Sequence, residues 1–381
     1  MHIVHVISGL PLGGAQTALH HLVAGMDRRR FGHTVISLTT EGIVGPRLRA
    51  AGAEVVELGM RPGWAGFSGM RALVAALRAS QPGLVQSWMY HADLLGLVAA
   101  RFVGNPPVVW NIRGARRSVR EFGLATATVV KACRLFSRGP AAVVVNSEAG
   151  RRDHQRMGYR PRAWVVIPNG VDGERFRPDA HAREKVRSHL GMETGALVVG
   201  CVGRDHPVKR HATIVDAVAR LRQEYPSLRL LMIGEGLDER NQDLTSRIKA
   251  LGLGGIVHRV GPQDEVWRWM TALDMLVSAS TTEGFPNVVG EAMACGIPCV
   301  VTDVGDSALL VGEAGTVVPV DGVEGLADGI RGMARKSPQE RRDLGARARA
   351  RVLEHYSVPR MIASYERLYD EILQGGGKGA G

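Results

Sequence analysis

The sequence predicts an α/β protein made of two doubly wound domains, each a parallel sheet with helices on both faces. Three observations predict this fold class. The chain has 381 residues, which is too long for one ordinary core, since domains average roughly 150 residues. Short runs rich in Val, Ile and Leu alternate with longer helical patterns, as in buried parallel sheets. The segment Pro168-Asn169-Gly170-Val171-Asp172 opens a polar, irregular stretch between two such series.

The predicted strands fall into two series, one on each side of that stretch. The first series comprises residues 2–8, 33–38, 54–58, 84–86, 108–111, 142–146 and 164–167. The second comprises residues 197–202, 229–233, 256–260, 275–278, 298–302 and 316–318. We therefore predict domains at residues 1–172 and 173–356. Apolar residues at helical spacing predict a last helix over 357–374, and the Gly-rich residues 375–381 predict a disordered tail.

Composition excludes several classes of protein. Hydrophobic residues make up 45% and charged residues 22% of the chain, as in globular proteins. No run approaches the ~18 apolar residues of a spanning helix, and the first residues do not form a secretory signal. Four scattered cysteines predict reduced thiols in packed positions rather than disulfides or a zinc site.

The positive charge is concentrated in the first domain. The net charge is +11, and residues 1–172 hold 21 Lys and Arg against 9 Asp and Glu. Within them, residues 111–162 hold 12 basic and 3 acidic groups. Such a surface attracts a polyanion, namely nucleic acid, anionic lipid headgroups or a phosphorylated substrate, although a merely solvated basic face fits equally well.

The most informative motif is Glu283-Gly284-Phe285-Pro286-Asn287-Val288, with Glu291 eight residues after Glu283. A buried strand ends in this loop, and Pro286 stands where a helix begins. The first amides of that helix, around Asn287 and Val288, form a site for an anion. Glu291, one turn along, could accept hydrogen bonds from a ribose, and Glu283 could accept them from sugar hydroxyls.

Two further loops carry candidate phosphate-binding groups. Gly203-Arg204 ends the first strand of the second domain, and Lys209 follows where a helix begins. Two cations at that turn could neutralise a diphosphate. In the first domain Gly13-Gly14 follows a strand and opens a helix, which is by itself a weak indication of a phosphate site.

These motifs together resemble the retaining family-4 glycosyltransferases of the GT-B fold. The resemblance rests on Glu283-Gly-Phe-Pro-Asn…Glu291, Gly203-Arg204…Lys209, Ile233-Gly-Glu-Gly236, the segment 168–172, Gly13-Gly14-Ala15 and Asn146-Ser147-Glu148. It implies two Rossmann-like domains facing each other across a cleft, with the last helix crossing back to the first domain. It departs from the family at Gln16, where Glu is usual, and at Asp303-Val304-Gly305-Asp306, where a Gly pair is frequent.

The resemblance also implies roles for individual residues. Arg204 and Lys209 would hold the diphosphate, and Glu291 would bind the ribose. Glu283 and the backbone of Phe285, Pro286, Asn287 and Val288 would hold the donor sugar. The remaining implied contacts are to the phosphates from Gly13, Gly14 and Gly203, to the base edge from the backbone of Val260, and to the donor sugar from His91. On residue type alone, a histidine at such a strand-to-helix junction is more often a helix cap or a satisfied core group.

The expected activity is transfer of a hexose or N-acetylhexosamine from a nucleotide sugar, foremost a UDP-sugar, with retention at the anomeric carbon. No Asp-x-Asp motif occurs in the chain, so we expect no metal and no other cofactor. The expected acceptor is a lipid-linked sugar, such as one on undecaprenyl diphosphate, or another saccharide in polysaccharide or glycan assembly.

The basic first domain is expected to dock on an anionic membrane, at the cytoplasmic face of the cell membrane. The basic residues Arg113, Arg116, Arg117, Arg120, Lys131, Arg134 and Arg138 flank apolar residues of a predicted helix. A core-facing helix with a solvated outer side is the alternative for this segment.

Two other functions stay open from the residues alone. A nucleotide-sugar epimerase or a phosphorylase could use the same fold. A basic nucleic-acid-binding protein would fit the charge, but aromatic residues are only 5% and no zinc spacing is present, so we expect no nucleic-acid partner.

Overall fold

The computed structural model describes residues 1–61, 66–114, 118, 121–320 and 322–376. The chain forms two compact units. The first unit comprises Met1–Gly170 and the segment that begins at Val358, and the second comprises Val171–Ser357.

The first unit is built on a seven-stranded sheet in which every pair of neighbours is parallel. The strand order is β3-β2-β1-β4-β5-β6-β7. Their side chains are mostly buried on both faces, as expected of strands covered by helices. The strands are β1 (His2–Ile7), β2 (Gly32–Ser37), β3 (Glu54–Glu57), β4 (Leu84–Trp88), β5 (Val108–Ile112), β6 (Ala142–Val145) and β7 (Trp164–Val166).

Helices follow the strands of the first unit in regular alternation. They are α1 (Gly14–Gly25), α2 (Gly45–Ala50), α3 (Gly66–Ser80), α4 (Tyr90–Ala100), α5 (Leu124–Phe136) and α6 (Glu148–Arg156).

The second unit repeats the pattern with a six-stranded parallel sheet, in the order β10-β9-β8-β11-β12-β13. Its strands are β8 (Leu197–Val202), β9 (Leu228–Ile233), β10 (Val257–Arg259), β11 (Met275–Ser278), β12 (Cys299–Thr302) and β13 (Gly315–Val318). Its helices are α7 (Ala180–His189), α8 (His211–Leu221), α9 (Gln242–Ala250), α10 (Val266–Met270), α11 (Asn287–Ala294), α12 (Ser307–Val311), α13 (Val323–Ala334) and α14 (Pro338–Tyr356). The two sheets confirm the predicted fold class of two doubly wound α/β domains.

The last helix, α15 (Val358–Gly376), belongs to the first unit. Its apolar residues Met361, Tyr365 and Tyr369 pack in the core of that unit with residues of β1 and α1. The helix continues beyond its predicted end at residue 374, and residues 377–381 of the predicted tail lie outside the described residues.

The two segments that join the units are tied to their neighbours by backbone contacts. Val171 pairs with Ser357 in a parallel bridge, and its N–H donates to the carbonyl of Tyr356 at 2.7 Å. A Cβ at Gly170 would lie 2.7 Å from the Cα of Val358, which explains glycine at that position.

Because all strands in a unit run parallel, the loops that follow them gather at one edge of each sheet. The chain order reverses direction between β1 and β4 in the first sheet, and between β8 and β11 in the second. Open α/β sheets bind ligands at such switch points. Within the described ranges, no helix is long and apolar enough to cross a bilayer.

Candidate functional site

A pocket of about 170 Å³ lies at the switch point of the second sheet. The loops after β8 and β11 and the first turn of α11 form its walls. Most of its lining is contributed by the predicted motif around Glu283 and by the end of β11. The lining residues are Cys201, Val202, Lys209, His211, Ile214, Val277, Ser278, Ala279, Ser280, Glu283, Phe285, Pro286, Asn287, Val288 and Val289.

Lys209 and Glu283 form an ion pair in this pocket. The Nζ of Lys209 lies 2.5 Å from Oε1 of Glu283, and the hydroxyl of Ser280 donates to the same oxygen at 2.7 Å. Only 14% of the Glu283 side chain and 31% of the Lys209 side chain are exposed. A cation and an anion, 74 residues apart in sequence, therefore share one partly enclosed site.

The position of Lys209 follows from the backbone of the turn after β8. Gly203 has φ +148°, a conformation that favours glycine. The side chain of His206 accepts a hydrogen bond from the N–H of Val208 at 3.3 Å, which caps the short 3₁₀ turn Pro207–Lys209. Arg210 then adopts a left-handed conformation, with φ +50°, that leads into α8.

The Glu283 loop is held from two sides. The N–H of Thr281 donates to the carbonyl of Val208 at 2.8 Å, which joins this loop to the Lys209 turn. The hydroxyl of Thr302, at the end of β12, donates to the carbonyl of Ser280 at 2.6 Å. The pocket geometry is therefore fixed by the ends of three neighbouring strands.

Gly305 supports the same loop from below. Its φ is +57°, and a Cβ there would lie 2.3 Å from the carbonyl oxygen of Glu283. The N–H of Asp306 donates to the carbonyl of Gly284 at 3.1 Å. Gly305 thus allows the segment Asp303-Val304-Gly305-Asp306 to approach the backbone of Glu283 closely. A single glycine is enough for this contact, although a pair of glycines is frequent in the family that the sequence resembles.

Helix α11 begins at the pocket, as the sequence predicts. Pro286 precedes it, and Asn287 and Val288 in its first turn line the cavity. The first N–H groups of a helix have no acceptor within the helix, and the dipole there is positive. Together with Lys209, this end of α11 supplies positive potential suited to a phosphate group.

Glu291 lies one turn further along α11 and does not line the pocket. Its side chain is partly buried, and burial raises the pKa of the carboxyl to about 7, while the charge of Arg175 opposes that shift. Asp172 accepts a hydrogen bond from the N–H of Arg175 at 3.0 Å, and the guanidinium stacks over the ring of Trp267 at 4.3 Å. The segment 168–172 therefore helps to place Arg175, whose charge acts on Glu291.

Three other predicted residues lie outside the pocket. The Arg204 side chain is exposed, and no described residue forms a hydrogen bond or ion pair with it. Gly203 contributes only the backbone of the turn. The N–H of Val260 donates to Met232 at 3.1 Å, and its carbonyl accepts from Nε2 of Gln263 at 2.7 Å, so both of its backbone groups already serve the fold.

In the first unit, Gly13 and Gly14 stand at the start of α1, as predicted. Gly13 has an extended backbone, and Gln16 turns back so that its Nε2 donates to the carbonyl of Gly9 at 2.9 Å. Glutamine can donate this hydrogen bond to a carbonyl and a glutamate cannot, which gives Gln16 a structural role in the loop.

His91 lies in the first turn of α4, after Met89, which has a left-handed backbone with φ +73°. Backbone strain of this kind in a non-glycine residue often accompanies functional sites. The Nε2 atom of His91 is buried without a hydrogen-bond partner, and burial lowers the pKa of its imidazole. His91 is therefore a neutral ring with an unused polar atom at the carboxyl edge of the sheet.

The same edge carries polar residues that the sequence reasoning did not single out as ligands. Ser8, Arg113 and Asn146 follow β1, β5 and β6, and each has buried side-chain polar atoms without a partner. Buried polar groups are normally satisfied, so these atoms mark a candidate binding edge. Of these three residues, Asn146 could have been identified from the sequence, because it belongs to the motif Asn146-Ser147-Glu148.

Arg113 corrects one sequence-based expectation. The sequence predicts that Arg113 lies on an exposed basic face, but its guanidinium is buried beneath α15, where Nη1 donates to Tyr365 Oη at 3.2 Å and to Asn111 Oδ1 at 3.3 Å. It also stacks over Trp88 at 5.2 Å. No described carboxylate pairs with it. Arg113 is therefore a buried cation and not part of a surface stripe.

The predicted amphipathic helix forms as α5. Val130 and Cys133 face the core, whereas Leu124 and Leu135 are 91% and 77% exposed. Of the basic residues assigned to this face, Lys131, Arg134 and Arg138 are exposed, and Arg116, Arg117 and Arg120 lie outside the described residues. A basic pocket of about 590 Å³ at the end of α5 is lined by Arg134, Leu135, Ser137, Arg138, Arg156, Met157, Gly158 and Arg160.

The four cysteines are free and buried, as predicted. Burial raises the pKa of each thiol, which disfavours thiolate chemistry. Among the residues that the structure describes, no three His, Cys, Asp or Glu side chains are grouped as metal ligands.

Two parallel-sheet Rossmann-like domains, with charged groups at the switch point of the second, define a GT-B architecture. Comparison with solved structures agrees: Anabaena Alr3699/HepE in complex with UDP superimposes with a TM-score of 0.84 over 97% of this chain and all of that chain, at 23% identity. At this identity the similarity shows the fold alone.

Sequence comparison identifies the family. The model described as "Glycosyltransferase Family 4" matches residues 12–175, and that described as "Glycosyl transferases group 1" matches residues 196–336. EpsF of Bacillus subtilis strain 168 is 26% identical over 329 residues, which are 79% of each chain. The lipopolysaccharide core biosynthesis mannosyltransferase LpsB of Rhizobium meliloti strain 1021 is 26% identical over 332 residues, 80% of this chain and 91% of LpsB. The chain belongs to the family-4, group-1 glycosyltransferases, and it is a glycosyltransferase enzyme.

Proposed function

We propose that the protein is a retaining glycosyltransferase that moves a hexose or N-acetylhexosamine from a UDP-sugar to a lipid-linked or saccharide acceptor. The observation that carries the proposal is the convergence of Lys209, Glu283 and the first turn of α11 on one pocket. These groups can bind an anionic leaving group and a sugar side by side. The solved complexes of HepE with UDP and with UDP-glucose support the choice of nucleotide.

In this proposal the second unit binds the donor. Lys209 and the N–H groups at the start of α11 hold the diphosphate, and Glu283 accepts hydrogen bonds from sugar hydroxyls. Glu291 binds the ribose, with its carboxylate accepting from a vicinal diol. Arg204 is a second cation whose exposed side chain would turn toward the diphosphate when the donor binds.

In the proposed reaction, the acceptor attacks the anomeric carbon on the same face from which the leaving group departs. The acceptor oxygen forms a bond to the anomeric carbon as the bond from that carbon to the diphosphate oxygen breaks. The acceptor's proton passes to the departing phosphate oxygen. Lys209 and the α11 dipole stabilise the negative charge that develops on that oxygen. Because these groups supply positive charge, we propose that transfer needs no divalent cation, and activity in the presence of EDTA would test this.

The first unit would bind the acceptor at the carboxyl edge of its sheet. The unpartnered atoms of Arg113 and Asn146 offer both donors and an acceptor there. Since Arg113 has no described carboxylate partner, we propose an acceptor with an anionic group, such as a lipid-linked diphosphate sugar. LpsB, which is named for lipopolysaccharide core biosynthesis, supports a role in glycan assembly.

Helix α5 and the basic pocket beside it would attach the enzyme peripherally to the inner face of the cell membrane. The exposed Leu124 and Leu135 and the neighbouring cations combine the apolar and basic groups that anionic bilayers attract, at about 1 kcal/mol per basic residue. Sedimentation with vesicles that contain 30% anionic lipid, compared with neutral vesicles, would test this. A double variant, Leu135→Ser with Arg138→Ser, should reduce the difference.

The decisive experiment begins with a panel of nucleotide sugars. Each is tested for a rise in melting temperature, and the best is incubated with lipid-linked acceptors. Proton NMR of the product then reports its anomeric configuration. We expect the product to have the same anomeric configuration as the donor. An inverted product would contradict retention, and release of nucleotide without sugar transfer to any acceptor would contradict the proposed activity.

A further inference from the structure

Lys209 and Glu283 form an ion pair, although each of them binds a different part of the donor in the proposed function. Lys209 is to hold a diphosphate and Glu283 is to hold sugar hydroxyls, yet each is the charged partner of the other at 2.5 Å. The pair is partly enclosed, since only 14% of the Glu283 side chain is exposed. Water therefore compensates the carboxylate poorly if the lysine is taken away.

A diphosphate and Glu283 compete for the same ammonium group. The ammonium has three donors, but a phosphate placed on it comes close to the Glu283 carboxylate, and like charges at that distance disfavour each other. The carboxylate cannot retreat freely, because Ser280 donates to the paired oxygen at 2.7 Å and Thr302 fixes the carbonyl of Ser280 at 2.6 Å. Binding of a diphosphate alone thus leaves a held carboxylate without its cation.

We infer that this ion pair makes the site select a nucleotide sugar over the free nucleoside diphosphate. The inference rests on the proposed function and deepens it. The sugar of the donor brings hydroxyl groups that donate to Glu283 and replace the lysine that the diphosphate has taken. The free nucleoside diphosphate has no such group near Glu283. After transfer, the departure of the sugar allows the pair to form again, which favours release of the spent nucleotide.

Calorimetric titration of the whole chain with inorganic pyrophosphate, UDP and UDP-glucose tests the inference. Pyrophosphate probes the lysine without base or sugar. Glu283→Gln removes the competing charge, so it should bind pyrophosphate about tenfold more tightly than the wild type, an effect of about 1.4 kcal/mol. The preference for UDP-glucose over UDP should fall by a similar factor in this variant.

Matched variants separate this effect from general ones. Glu313→Gln removes an exposed carboxylate of the same unit that does not line the pocket, and it should match the wild type with all three ligands. Glu283→Ala is a second neutral variant, for which tighter pyrophosphate binding is also expected. Its use keeps the test valid if the first variant folds poorly.

Different results would contradict the donor site and the selectivity role of the ion pair. If Lys209→Met lowers pyrophosphate affinity but neither neutral variant of Glu283 raises it, the selectivity role of the ion pair is wrong and the donor site stands. If Lys209→Met leaves pyrophosphate affinity unchanged, or no variant and no wild type binds any of the three ligands, the donor site itself is wrong and the inference falls with it.

Discussion

Replacement of Lys209 by methionine separates the binding role of this residue from its structural role. The change keeps an unbranched side chain of similar length and removes the charge. Glu283 loses its cation but keeps the hydrogen bond from Ser280 at 2.7 Å. Because only 14% of the Glu283 side chain is exposed, water compensates its carboxylate poorly, and the stability loss should be about 2 kcal/mol. In a unit of this size that lowers the melting temperature by about 4–8 °C.

The effect on transfer should be far larger. In the proposed reaction, Lys209 contacts the oxygen on which charge develops, and removal of one such donor typically lowers kcat by about 10²–10³, or about 2.7–4 kcal/mol. The assay is initial-rate transfer from the donor selected by the panel, with unfolding followed in parallel by circular dichroism. Lys249→Met, an exposed lysine on α9, is the matched control and should retain full activity. If Lys209→Met stays within about threefold of the wild-type kcat/KM, a difference of under about 0.7 kcal/mol, the assigned role is refuted.

Three further predictions concern the rest of the second unit. Burial raises the pKa of Glu291 to about 7, and ribose hydroxyls favour its ionised form, so donor binding should release a proton and should tighten as the pH rises from 6 to 8. Calorimetry in two buffers of different ionisation enthalpy measures the released proton, and Glu291→Gln should abolish both the proton release and the pH dependence. Burial raises the pKa of Asp274, but Arg187 and Arg183 outweigh that effect and hold the pKa below its usual range. Asp274→Asn should therefore lower the free energy of unfolding by about 3 kcal/mol at pH 7. Urea unfolding should show that this loss disappears as the pH falls through the depressed pKa of the folded state. Gly305→Ala places a Cβ 2.3 Å from the Glu283 carbonyl at φ +57°, so it should destabilise the unit by at least about 1 kcal/mol and weaken pyrophosphate binding, whereas Gly332→Ala, an open position in α13, should do neither.

The fold was predictable because its strands are buried on both faces. Continuous runs such as residues 197–202 and 275–278 leave little choice other than strands of a covered parallel sheet. The start of α11 was equally predictable from Pro286, because proline favours the first positions of a helix. These are local signals, and they need no knowledge of which elements contact each other.

The contacts within the site were less predictable. The motifs placed Lys209 and Glu283 near one ligand, but a pattern of residues does not reveal that two ligand groups pair with each other across 74 residues. The exposure of Arg204 depends on side-chain direction after a glycine turn, which the sequence does not determine. Arg113 was misassigned because a charged residue after a strand usually faces water, whereas here α15 returns from the far end of the chain and covers it.

The central claim is that the pocket formed by the Lys209 turn and the Glu283 loop binds the donor. Hydrogen–deuterium exchange, with and without the nucleotide sugar that most raises the melting temperature, tests it most directly. We predict slower exchange in peptides that cover residues 203–211 and 279–294. Unchanged exchange in both segments, with slowing confined to the basic surface around α5, would contradict the account.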